Sequence, residues 1–95
     1  MNMQNKSILD KLGRISFSKE VREEIGFGAN DIFEIEARDG KIMLLKANEE
    51  SLKVKRTVDP TGRLVLPIEI RQALNYKEGD NMEITVERVL LVSKI

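Results

Sequence analysis

The 95-residue chain contains neither cysteine nor histidine. Without cysteine no disulfide can staple it, and without histidine the commonest metal ligand is missing. Together the two absences remove the usual nucleophile and base pairs of covalent catalysis. Glycines number only six and form no phosphate-cradling loop. Gly26-Phe27-Gly28 lacks both the following spacing and the preceding strand of a dinucleotide fingerprint. The carboxylate pair Glu23/Glu24 carries no mark that separates it from a solvated helix face. No apolar run approaches the roughly eighteen residues of a membrane span, and nothing at the start reads as a signal peptide. These absences lead us to expect a cytoplasmic protein that is not an enzyme, needs no cofactor or metal, and has no membrane partner.

Excess charge of either sign is missing too, with 16 basic and 16 acidic residues. A total conceals distribution, however. Residues 53–77 carry six basic against two acidic side chains, a net +4, and residues 78–95 carry two against four, a net −2. The first half repeats this more weakly, at +1 over residues 1–28 and −2 over residues 29–49. If the leading part of each half lies on one side of the molecule, that side is basic.

What the chain does contain is one phrase written twice. Asp10-Lys11-Leu12-Gly13-Arg14 followed by Arg22 returns as Asp59-Pro60-Thr61-Gly62-Arg63 followed by Arg71, at a constant offset of 49. Asp10/Asp59, Gly13/Gly62, Arg14/Arg63, Glu20/Glu69, Arg22/Arg71, Asp31/Asp80, Glu34/Glu83 and Ile35/Ile84 are identical, and Val21/Ile70, Ile25/Leu74 and Phe27/Tyr76 are conservative. Two copies of one supersecondary unit explain this economically. Units of about 45 residues lie near the limit below which a core needs a staple or a partner, so the two must bury their apolar faces together or against another chain.

Each unit reads as strand, tight turn, strand, short helix and hairpin. Asp59, Pro60 and Gly62 occupy positions that a type I turn favours, and Asp10 and Gly13 repeat two of them. Helices are expected over Lys19–Ile25 and from Pro67 or Ile68 to Leu74, with apolar residues four apart at Val21/Ile25 and Ile70/Leu74. Ser18 suits an N-cap and Pro67 a first helical turn, while the aligned Gly26 and Asn75 suit left-handed closing positions. Asp39-Gly40 marks the turn of the first hairpin. The second hairpin, Asn81–Val86 and Val89–Lys94, is read with a turn two residues shorter, shifting the offset to 47. Residues 1–6 are expected to fray. The domain reading is one barrel over residues 1–95, made of repeats 7–47 and 53–95 joined by a linker at 48–52.

With the core assigned, Arg14 and Arg63 stand after the turns, and Arg22 and Arg71 lie on the helices away from the apolar stripe. Guanidinium groups on a turn and a neighbouring helix suit a phosphate backbone or a guanine edge. Two copies give two such sets, which a pseudo-twofold axis would present to successive turns of one duplex. The competing reading is structural, with these arginines paired to Asp10/Asp59 or Glu20/Glu69. Asp31 and Asp80 read as turn formers, Glu20 and Glu69 as solvated helix residues, and Met43 and Met82 as core filling.

The stretch Val58-Asp59-Pro60-Thr61-Gly62-Arg63-Leu64-Val65-Leu66-Pro67-Ile68-Glu69-Ile70-Arg71 resembles the AbrB/SpoVT family of bacterial and archaeal DNA-binding regulators. The resemblance implies a mainly β fold with two short helices: a swapped-hairpin β-barrel, here an intramolecular pseudo-dimer of two strand-turn-strand-helix-hairpin repeats. It implies a sequence-preferring, duplex-DNA-binding transcriptional regulator in the nucleoid, with Arg63 and Arg71 matching family DNA contacts and Arg56 matching another on the preceding strand. Arg14 and Arg22 are their counterparts in the first repeat. That repeat departs from the pattern at Ser7, Glu23 and Ser18, where the second has Arg56, Gln72 and Pro67, so the second is expected to make the stronger contact. Self-association is an expected partner interaction alongside double-stranded DNA. MazE-type antitoxins share the fold and add a long toxin-binding tail, which is not expected in a sequence that stops at Ile95, right after its last strand. The rival expectation is a protein-interaction module, antitoxin-like or a scaffold, that keeps the barrel with weak or no DNA binding. The acidic helix with Glu20, Glu23 and Glu24 speaks for it.

Overall fold

A β-turn closed by a carbonyl-to-amide bond follows the first strand of each half of the chain: Gly13 N donates to Asp10 O at 2.9 Å, and Gly62 N donates to Asp59 O at 3.0 Å. The computed structural model describes residues 3–87 and 89–95. In chain order it contains β1 (Met3–Ile8), β2 (Arg14–Ser16), α1 (Lys19–Ile25), β3 (Ile32–Arg38), β4 (Lys41–Ala47), β5 (Lys55–Thr57), β6 (Arg63–Val65), α2 (Ile68–Leu74), β7 (Asn81–Val86) and β8 (Leu90–Lys94). The helices start and stop for local reasons. Ser18 Oγ accepts from Val21 N at α1, and Gly26 and Asn75 close α1 and α2 in the left-handed region, at φ 84° and 59°. Pro67 precedes α2 as its cap residue instead of lying in the first turn, and it makes no side-chain cap bond. Asp31 and Asp80 bridge the turns before β3 and β7, accepting from Gly28 N at 2.8 Å and Lys77 N at 2.7 Å.

The strand order of the large antiparallel sheet is β1-β7-β8-β4-β3-β5, and β2 pairs separately with β6. Exchanging each element for its counterpart in the other half reverses that order and leaves it unchanged, as a pseudo-twofold axis requires. The pairing is also swapped. The first strand of each half joins the other half's hairpin, β1 on β7 and β5 on β3, at the two edges of the sheet. Connecting bonds recur in matched pairs: Leu9 N to Asp80 O with Val58 N to Asp31 O, and Phe17 N to Gly62 O with Leu66 N to Gly13 O. The result is a curled, half-barrel sheet closed by a two-stranded ribbon.

Apolar residues from both halves fill the space between them. Leu9, Ile15, Phe17, Val21, Phe33, Ile42 and Leu44 meet Val58, Leu64, Leu66, Met82, Ile84 and Val92, with Ile25, Ile70 and Leu74 packed at the margin. Phe27 sits edge-on to both Phe17 and Phe33, at 5.1 and 4.9 Å between ring centres. That arrangement favours aromatic pairs beyond simple area burial.

Three local expectations are corrected. Of residues 1–6, those from Met3 onward do not fray, because β1 pairs in register with β7 from Met3↔Val86 to Ile8↔Asn81, and residues 1 and 2 lie outside the described residues. Backbone pairing is indifferent to the polar side chains that suggested a loose end. The second hairpin matches the first at an offset of 48 instead of 47, since Phe33↔Lys46 corresponds to Met82↔Lys94. Its turn is therefore shorter by one residue. Met82 is fully buried as expected, whereas Met43 is only half-buried.

Candidate nucleic-acid interface

The ribbon of β2 and β6 is where the leading parts of both halves meet. Its register is Arg14↔Val65, Ile15↔Leu64 and Ser16↔Arg63. Side chains alternate along a strand, and Ile15 and Leu64 are wholly buried. Arg14, Ser16, Arg63 and Val65 therefore occupy the opposite, outward face. Arg14 and Arg63 sit diagonally across the ribbon, a relation that places such residues roughly 7–8 Å apart.

An aspartate fixes each of these two arginines. Asp10 Oδ1 accepts from Leu12 N and Arg14 N at 2.9 and 2.8 Å, and its Oδ2 accepts from Arg14 Nε at 2.6 Å. Asp59 Oδ1 takes Thr61 N, Thr61 Oγ1 and Arg63 N, each at 2.9 Å, and its Oδ2 takes Arg63 Nε at 3.0 Å. Burial pushes the Asp59 pKa up, but the bonds from Arg63 and Thr61 outweigh it and bring it down to about 2. Asp10 is lowered in the same way by Arg14 and Leu12. Each clamp uses only Nε, so among the described residues the terminal Nη atoms of Arg14 and Arg63 carry no hydrogen bond. The ion-pair reading and the ligand reading thus describe one arrangement: the carboxylate orients the guanidinium and leaves its outer edge free. An oriented planar fork is what phosphate or guanine recognition requires.

The helix arginines cross over. Arg22 of the first half lies against Gly62 of the second, where an added Cβ would meet its Cζ and Nε at 3.1 Å. Arg71 lies against Gly13, where an added Cβ would fall 2.4 Å from its Cζ. Both glycines have positive φ, 79° and 81°. The expected grouping of one set per repeat is therefore replaced by mixed sets, Arg14 with Arg71 and Arg63 with Arg22. Arg71 Nε donates to Leu66 O at 2.8 Å, while Arg22 Nε is buried without a partner. Arg56 is exposed on β5 opposite Phe33 and donates through Nη1 to Lys55 O at 2.8 Å. All five arginines singled out from sequence belong to the elements that make or flank the ribbon.

Sequence reasoning missed Asn5, and read Ser7 only as the place where the first repeat lacks the arginine of the second. Ser7 Oγ accepts from Ser16 N at 2.8 Å, and Asn5 takes Ser18 N and donates to Ser16 O, both at 3.2 Å. They close the outer edge of β2. The aligned residues Val54 and Arg56 leave the edge of β6 without such side-chain bonds. A comparison of the two copies held the signal, since Asn5/Val54 and Ser7/Arg56 are polar-for-apolar and neutral-for-charged exchanges.

Residues 55–95, which span β5 to β8, match the family model described as antidote-toxin recognition MazE, bacterial antitoxin. Stage V sporulation protein T of Bacillus subtilis (strain 168) is 49% identical over 35 residues, covering 37% of this chain and 20% of that protein. The second half of the chain is thus similar to an AbrB/SpoVT-type domain. The chain is therefore similar to only about a fifth of the length of that sporulation protein. The solution structure of PHS018 from Pyrococcus horikoshii shares the fold of the whole chain, with a TM-score of 0.60 at 23% identity over 96% of this chain and 89% of that one. The matched family model is that of an antitoxin and not of an enzyme. No helix among the described residues is long and apolar enough to cross a membrane.

Proposed function

We propose that the protein is a duplex-DNA-binding transcriptional regulator that reads its site with the outward face of the β2–β6 ribbon. The observation that carries this is the pair of aspartate-oriented guanidinium groups, Arg14 and Arg63, with their outer edges uncommitted. Arg22 and Arg71 flank them from the helices, and Arg56 extends the basic surface along β5. The AbrB/SpoVT-type match of the second half supports the same reading. The working unit is one barrel of repeats 7–47 and 53–95 joined at 48–52, acting in the cytoplasm on the nucleoid.

Affinity of this kind comes largely from phosphates and falls steeply with salt. Arg63→Ala with Arg71→Ala is expected to weaken binding by about 1–3 kcal/mol for each contact that reaches a base, with the far-ultraviolet circular dichroism unchanged. A folded double variant with undiminished affinity in a mobility-shift titration would sink the assignment.

The rival is an antitoxin-like interaction module. The matched family model of residues 55–95 and the exposed acidic side chains Glu20, Glu23 and Glu24 on α1 favour it. Titration of mixed genomic DNA at two salt concentrations separates the two, because the interaction module gives no shift even at low salt.

A further inference from the structure

The two halves match in backbone and differ sharply in what they expose beside the arginines. Around β6 and the start of α2, Leu12, Val54, Val65 and Ile68 are exposed at 57%, 49%, 37% and 52%. Their counterparts at the pseudo-symmetric place are Thr61, Asn5, Ser16 and Lys19, every one of them polar. Four apolar side chains on one side and none on the other is a difference of kind.

The four belong together in space. Val65 stands opposite Arg14 across the ribbon. The turn that holds Leu12 is bonded to the residue after Val65, through Leu66 N to Gly13 O at 2.8 Å. Ile68 begins the helix whose Arg71, one turn later on the same face, lies over Gly13. Val54 precedes β5, which packs beside β6. Among the described residues the remaining exposed large apolar side chains, Ile8, Leu52 and Ile95, lie elsewhere, on β1, in the connection and after β8.

Resting on the DNA-binding reading above, we propose that Leu12, Val65 and Ile68 read thymine methyl groups in one half of the bound duplex, so that the operator is asymmetric. A duplex satisfies both parts of this surface, offering phosphates and guanine edges to Arg14, Arg63 and Arg71 and major-groove methyl groups to the apolar side chains between them. A second copy of the chain laid twofold on the same face would set those arginines against their own equivalents, and like charges brought together oppose association. The half of the site under Thr61, Ser16 and Lys19 has only the Thr61 methyl group for such a contact and gains less.

The test uses the tightest duplex selected from random sequence and replaces thymine by deoxyuridine, which lacks only the methyl group, in one half at a time. We expect about a fourfold loss of affinity for each contacted methyl in one half, the factor that burying one such carbon supplies, and a smaller loss in the other. Leu12→Thr with Val65→Ser, which writes two of the polar counterparts into the apolar side, is expected to reduce the difference to the part that Ile68 supplies. Tight binding that ignores the replacement in both halves, or selected sites without thymine, overturns this inference and leaves DNA binding standing. Failure to bind any duplex at low salt overturns both. Dimers in sedimentation that the same double substitution dissolves would assign the patch to self-association and overturn it as well.

Discussion

Asp59 shows how a single side chain serves both fold and site. Its carboxylate collects four hydrogen bonds from Thr61 and Arg63, counting Thr61 N, Thr61 Oγ1, Arg63 N and Arg63 Nε. Against the opposing effect of burial these bring its pKa to about 2. A carboxylate with a lowered folded-state pKa contributes stability that is complete above its unfolded value, about 3.9, and is lost as pH falls through the folded one. Urea midpoints measured from pH 5 down to pH 2 should therefore fall more steeply for the wild type than for Asp59→Asn, with Asp10 acting in the same direction. A variant that loses stability as steeply as the wild type would show that the carboxylate has no such role. The aspartate and its arginine were both legible as repeated residues. Their division of labour was not, because residue identity does not say which guanidinium nitrogen is engaged.

At the scale of elements, turns and helices are coupled across the halves. Gly13 has a φ of 79° and Arg71 lies directly over it. An L side chain in that backbone region costs about 1–2 kcal/mol, and a methyl group there must also displace the Arg71 guanidinium. Gly62 has the same backbone but a looser contact with Arg22, 3.1 Å against 2.4 Å. Gly13→Ala and Gly62→Ala should thus lose similar stability in denaturant melts, while Gly13→Ala loses more DNA affinity in mobility shifts. Equal affinities in the two variants would argue that the crossing has no part in binding. Helix limits were readable from Ser18, Gly26 and Asn75, whose side chains and backbone preferences act within a turn or so of the chain. The crossing of Arg22 and Arg71 was unreadable because it depends on which half supplies the neighbouring turn.

The whole molecule is interlocked: β1 is built into the second half's hairpin, and Tyr76 Oη donates to Gly40 O at 3.2 Å across the halves. Tyr76 is the chain's single tyrosine, and tryptophan is absent, so its fluorescence reports the second half while far-ultraviolet circular dichroism reports both. Thermal unfolding followed by the two signals should give coincident transitions, the mark of one cooperative unit. Two separated midpoints would mean that the halves fold independently. The asymmetry between them also belongs to this scale. Arg22 Nε is buried without a partner while Arg71 Nε has one, and among the described residues exposed apolar side chains gather beside one side of the ribbon.

The sequence by itself determined the local grammar: two turns of Asp-x-x-Gly-Arg, two short capped helices, two hairpins and five arginines in repeated or aligned places. These follow from backbone preferences and periodicity, which act over a few residues. Only the tertiary structure decided that β1 forms a full strand, that arginines of opposite halves share a turn, and that four exposed apolar side chains gather beside the ribbon. Those outcomes depend on pairings between residues from about half to most of the chain apart, where a strand's partner is chosen by the closure of the common core.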